Sequence, residues 1–157
     1  MEKLKIKYLY KDLPKLLIPK NGDLGIDIMA NEDIIIPYQE SRLVNTGVCI
    51  SPPKGWGLIA KDRSSVSKYC RVLGGVFDTT YTGIYFINLY CHTRKLEEKI
   101  NETGLVWYDN TGYHIKRGHK VAQLIIVENH NLHFEEEVVD ELEQTDRGDK
   151  GFGSSGR

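Results

Sequence analysis

Apolar residues along this chain fall in short runs, rich in Ile, Val, Leu and Tyr, that stop at turn formers before they reach helical length. The runs lie at 5–9, 25–30, 33–36, 42–51, 57–60, 71–77, 84–91, 105–108, 113–115 and 121–127, and each predicts a strand. Gly22, the Pro52-Pro53 pair and the Gly74-Gly75 pair punctuate them. No amphipathic helical window is long enough to cross between parallel strands. The pattern predicts an all-β sandwich or jelly roll.

Two stretches break it. Residues 94–102, RKLEEKINE, carry so many charges that they are expected on the surface, as a loop or one short helical turn inserted at a hairpin end. From Phe134 onward, FEEEVVDELEQ gives way to TDRGDKGFGSSGR, too poor in apolar residues to fold without a support. The expected organisation is one domain over 1–157: a β core over 1–145 with a surface insertion near 93–112, and a C-terminal arm over 146–157. Trp107 and Tyr108 in the insertion suit cross-strand packing better than a partner contact.

Composition narrows the setting. With 21 basic against 22 acidic residues the formal net charge is −1, so no general field draws nucleic acid or an anionic membrane, and any anion site must be local. The 3 cysteines, Cys49, Cys70 and Cys91, have no CxxC spacing, which fits a reducing, intracellular compartment better than a disulfide framework or a zinc site. The N-terminus has no signal-peptide run and no later segment is long enough to span a bilayer, so a soluble protein is expected.

The candidate chemistry is spread along the chain. In Arg147 to Gly156 glycines free the backbone to approach an anion, Arg147 and Lys150 add charge, Ser154 and Ser155 add hydroxyls, and Phe152 is a lone ring able to stack on a base. By composition alone this is equally an ordinary flexible terminus. Arg63, Ser64 and Ser65 precede what reads as a short helix starting near Ser64, either a phosphate cradle or a capped turn. In 74–83, Asp78 and Tyr81 stand at a hairpin, where Asp78 is either a general base or a turn former. Gln123, polar among apolar neighbours, needs a partner, backbone or ligand.

Read in order with 22–28, GDLGIDI, these segments resemble the ordered motifs of the trimeric dUTPase family. The match is tightest from Arg147 to Gly156. The resemblance implies a jelly-roll subunit in a homotrimer, with shared active sites, each covered by an arm from a neighbour. It implies hydrolysis of dUTP to dUMP and pyrophosphate, which limits uracil incorporation into DNA and supplies dUMP for thymidylate synthesis. By that resemblance Asp78 is the base that activates the attacking water, and Tyr81 packs under the deoxyribose and excludes a 2′-hydroxyl. Gly75, Val76 and Phe77 read the uracil edge through backbone groups, and Phe152 stacks on the base. Arg63, Ser64, Ser65 and Gln123 hold the triphosphate, with Arg147, Gly153, Ser154 and Ser155 toward its γ end. Asp27 supports the hydrogen bonding. Mg2+ is carried by triphosphate oxygens and water with no ligand directly from the protein, so His130 and His133 are expected to be surface residues, not zinc ligands.

Several positions depart from the family pattern: Asp62 stands for a proline, Ser65 for a glycine, Thr80 for an acidic residue, Thr82 for an arginine and Lys150 for a glycine. A charge at Asp62 beside Arg63 opposes triphosphate binding unless it turns outward or pairs with Lys61 or Lys68. The related dCTP deaminases place a glutamate where this chain has Asn88, and an amide cannot perform that proton transfer. A nucleotide-binding regulator is the rival from another class, and the carboxylate at Asp78 argues against a purely non-catalytic protein.

Overall fold

The computed structural model describes residues 2–16, 18–19, 22–93, 97–100, 106–109, 111–141 and 143–144, with the backbone alone at 97–100, 106–109 and 132. Strands form where the apolar runs lie, with β9 the exception: β1 Lys5–Tyr8, β2 Gly25–Met29, β3 Ile34–Pro37, β4 Ser41–Ser51, β5 Trp56–Lys61, β6 Cys70–Leu73, β7 Val76–Phe77, β8 Ile84–Cys91, β9 Glu97–Ile100, β10 Val106–Asp109, β11 Gly112–Ile115 and β12 Lys120–Glu128. Among the described residues the only helical element is a 3-10 turn at His130–His133, so none is long and apolar enough to cross a membrane.

Two 4-stranded antiparallel sheets, ordered β1-β4-β8-β6 and β2-β12-β5-β7, form the jelly-roll sandwich, and β11 pairs with β3 in a 2-stranded ribbon. Alternation decides what goes inside. On β8, Tyr85, Ile87, Leu89 and Cys91 are buried while the residues between them are less so; on β2, Ile26 and Ile28 are buried on either side of Asp27. Leu58, Ala60, Val121, Ala122 and Leu124 complete the inner face of the second sheet against Val44, Val48 and Ile50 of the first.

Three local expectations change. The run 71–77 is two strands, because Gly74 takes a left-handed φ of +58° and sends the chain from the first sheet to the second. Of the charged stretch, Glu97–Ile100 form β9, which pairs with β10 as a 2-stranded ribbon, so these four residues are neither loop nor helical turn; backbone pairing there overrides composition. Finally, Ser64 to Tyr69 form successive hydrogen-bonded turns, with the Val66 and Ser67 amides both donating to the Arg63 carbonyl, and not the short helix expected. The side chains of Trp107 and Tyr108 lie outside the described residues.

Candidate functional site

A charged residue in the middle of a strand must find partners where its backbone places it. Asp27 does so on β2, between buried Ile26 and Ile28 and opposite Gln123 of β12. Its Oδ1 accepts a 2.6 Å hydrogen bond from Arg63 Nε, and its Oδ2 lies 2.8 Å from Lys120 Nζ. Partial burial pushes the carboxyl pKa up, but the hydrogen bonds from Lys120 and Arg63 outweigh it, and the net shift is below the ordinary value. With Nε spent on Asp27 and Nη1 donating to Ser65 Oγ at 3.4 Å, Arg63 keeps Nη2 and its remaining N–H groups for a ligand.

Arg63, Ser64 and Gln123 then line, with Gly22 to Gly25, Asp27 and Ile125, a polar cleft of about 580 Å3. Gln123 finds a backbone partner: its Nε2 donates to the Asp62 carbonyl at 2.9 Å. A Cβ at Gly25 would lie 2.3 Å from Gln123 Oε1, so glycine is required for that amide to rest against β2. The Asp62 side chain, expected to turn outward or to pair with Lys61 or Lys68, does neither and is partly buried. It accepts from the Val72 amide at 2.7 Å and from Arg71 Nη1 at 2.8 Å, since β6 passes the end of β5 and brings both donors to it.

Asp78 belongs to a second, separate group. β7 is the edge of its sheet and pairs Val76 and Phe77 with Ile59 and Leu58 of β5, which leaves Asp78 beside Gly57, in a hollow of about 350 Å3 that also includes Thr79, Glu128 and His130. The Asp78 carboxylate is exposed and takes no hydrogen bond or ion pair among the described residues. Tyr81 is held beside it: its amide donates to the Asp78 carbonyl at 3.0 Å and its hydroxyl to the Ile84 carbonyl at 2.7 Å. The rings of Phe77 and Tyr85 stack with centroids 4.1 Å apart and Tyr81 lies 6.2 Å from Phe77, so the exposed ring of Tyr81 rests on an aromatic base. Burial pushes the Tyr85 hydroxyl up to about 12, with Tyr81 adding to it.

The two groups lie at opposite ends of β5. From Gly57 to Lys61, the last residue of β5, the strand covers about 13 Å at about 3.3 Å per residue, and Arg63 lies two residues beyond it. Within one chain Arg63, Ser64, Ser65, Gln123 and Asp27 are therefore brought together, Gly75, Val76, Phe77, Asp78 and Tyr81 are brought together elsewhere, and Arg147, Phe152, Gly153, Ser154 and Ser155 lie outside the described residues. His130 and His133 sit on the 3-10 turn with ring centroids 6.4 Å apart, and His130 Nε2 is 3.6 Å from Glu128. Sequence reasoning missed Lys120, Gly25 and Arg71. Gly25 left a trace as part of GDLGIDI and Lys120 as the basic residue just before the run 121–127, while Arg71 left none.

Comparison with known proteins shows what the whole chain is similar to. The dUTPase family model matches residues 13–103 and 97–156. The deoxyuridine 5'-triphosphate nucleotidohydrolase of Paramecium bursaria Chlorella virus 1 is 34% identical, over 99% of each chain, and that of Escherichia phage T5 is 30% identical, over 98% of each. The solved dUTPase of Staphylococcus bacteriophage 80alpha, with dUpNHpp, superposes with a TM-score of 0.77 at 30% identity, covering 99% of both chains. A family model spanning nearly the whole chain, relatives at this identity and a shared fold lead to one conclusion: the chain belongs to the dUTPase family.

Proposed function

We propose that this chain is a dUTP diphosphatase that hydrolyses dUTP to dUMP and pyrophosphate at sites shared between the subunits of a homotrimer. The observation that carries the reading is the polar cleft in which Asp27 orients Arg63 beside Ser64 and Gln123. A guanidinium whose Nε is already engaged presents its remaining donors in a fixed fork, the geometry that phosphate oxygens match. The nearly full-length similarity to dUTP nucleotidohydrolases supports the same substrate.

Asp78 lies near the start of β5, about 13 Å along that strand from the end that carries on to Arg63, beyond the hydrogen-bond reach a general base needs within its own chain. The reading therefore assigns it to a cleft on a neighbouring subunit. There the carboxylate takes a proton from water as the water oxygen bonds to the α-phosphorus, the bond from that phosphorus to the bridging oxygen breaks, and pyrophosphate leaves. The free edge of β7 offers the outward-facing backbone groups of Val76 to the uracil edge, while Gly75 and Phe77 face β5, and Tyr81, fixed on its aromatic base, lies under the deoxyribose and leaves no room for a 2′-hydroxyl. Arg147, Gly153, Ser154 and Ser155 would close on the γ end and Phe152 on the base.

The cleft fits a metal that arrives with its ligand. The carboxylate of Asp27 is engaged by two cations, which leaves Asp23 as the other acidic side chain lining the cleft, and among the described residues no three His, Cys, Asp or Glu side chains are grouped to hold a metal ion. Bound through the triphosphate, Mg2+ would neutralise phosphate charge and fix the geometry of the α-phosphorus. The decisive assay offers the purified protein, with Mg2+, dUTP, dTTP, dCTP and UTP and measures pyrophosphate. Release from dUTP alone is expected; equal release from UTP would overturn the role of Tyr81, and ammonia from dCTP would mark a deaminase.

A further inference from the structure

Gln123 faces the cleft in an orientation that its own strand does not dictate. Its side-chain amide lies between Gly25, which has no Cβ to displace it, and the carbonyl of Asp62. Asp62 follows Lys61, the last residue of β5, at the point where ladder hydrogen bonds cease to hold the backbone. What holds it is its own side chain. β6 is the edge strand of the opposite sheet and pairs with β8 on its other side, so the Val72 amide is free to donate to Asp62 Oδ1, while Arg71 donates to Oδ2. The carboxylate thus staples the end of β5 to the rim of the other sheet. The amide bond is the stronger constraint, because Arg71 is 57% exposed and an exposed ion pair contributes little.

We propose that Asp62 is a positioning residue for phosphate binding: its carboxylate, anchored on Val72 and Arg71, fixes the carbonyl that orients Gln123. Asp62 touches no substrate; it acts through Gln123. Burial raises its pKa, but the Val72 amide and Arg71 outweigh that, so the staple remains charged under ordinary assay conditions. The inference rests on the cleft being the triphosphate site.

Steady-state hydrolysis of dUTP by the full chain carrying Asp62→Ala, Asp62→Asn, Gln123→Ala and Asp62→Ala with Gln123→Ala tests it. Asp62→Ala is expected to raise KM about tenfold with kcat within about twofold, the signature of lost binding and not lost chemistry. Asn keeps an acceptor for the Val72 amide and is expected to return KM to about threefold above wild type. In the Gln123→Ala background Asp62→Ala should add nothing, because one residue acts through the other. Additive effects, or an Asp62→Ala protein with lowered Tm and unchanged KM, would overturn the proposal. If Asp62→Ala does not fold, Asp62→Asn carries the test: its threefold rise in KM must vanish in the Gln123→Ala background, and an unchanged KM overturns the staple. A wild-type KM in Gln123→Ala alone would instead overturn the cleft reading, and the proposal with it.

Discussion

Asp27 shows how much a single side chain arranges. It joins Arg63 to Lys120 from a strand position where an unpaired carboxylate would be costly. Its folded pKa lies below the ordinary 3.8, so its contribution to stability is fully present above that value and is lost as the pH falls through the lower, folded one. Asp27→Asn should therefore be less stable than wild type by an amount that is constant from about pH 5 to 7 and shrinks below the ordinary carboxyl value. Denaturant unfolding over that range checks the sign; a gap that widened in acid would show the assignment to be wrong. The same variant should raise KM for dUTP by about tenfold, because Arg63 loses the bond that aims it. At this scale the sequence was legible in residue type and silent in partner. Gln123 had to find an acceptor, but whether it was backbone or ligand could not be read. The charge at Asp62 had to be neutralised, but Arg71 was not foreseen.

The turn between β6 and β7 is the element on which the arrangement depends. Gly75 passes so close to β5 that a Cβ there would lie 2.3 Å from the Ala60 carbonyl oxygen, and its own carbonyl accepts from the Ala60 amide at 2.6 Å. Gly75→Ala must push β7 off β5, taking the Asp78 turn with it. It should cost about 2 kcal/mol or more, seen as a lower Tm, and should reduce kcat more than KM because the displaced group is the proposed base. A variant with wild-type Tm and kcat would show that the strand yields without moving Asp78. Most strands were legible because each needs only a short apolar run and a stop signal. The exceptions have physical causes: Gly74 divides a continuous apolar run by a backbone conformation that hydropathy does not register, and β9 is made of residues whose charge argued against a strand although their pairing with β10 does not depend on it.

For the whole molecule, the separation of Arg63 from Asp78 along β5 has a direct consequence. Arg63→Ala and Asp78→Asn should each leave little activity; loss of a general base alone costs about 100-fold to 10,000-fold. Subunits of the two variants unfolded together and refolded as a mixture should regain activity, because some sites then draw Arg63 from one chain and Asp78 from another. Mixtures as inactive as their parents would place the whole site within one chain and reject the shared-site reading.

The sequence by itself determined the strands, the inward and outward faces of each, the residue types available for phosphate, sugar and water, and the family resemblance, because all of these depend on local order along the chain. Tertiary structure alone decided that Asp62 meets Val72 and Arg71, that Asp27 is shared by Arg63 and Lys120, and that Asp78 lies at the far end of β5 from the cleft. Those outcomes are set by which strands pair and in what register. Pairing is chosen by the burial of whole faces against one another, a property of the assembled sheets that no local window contains.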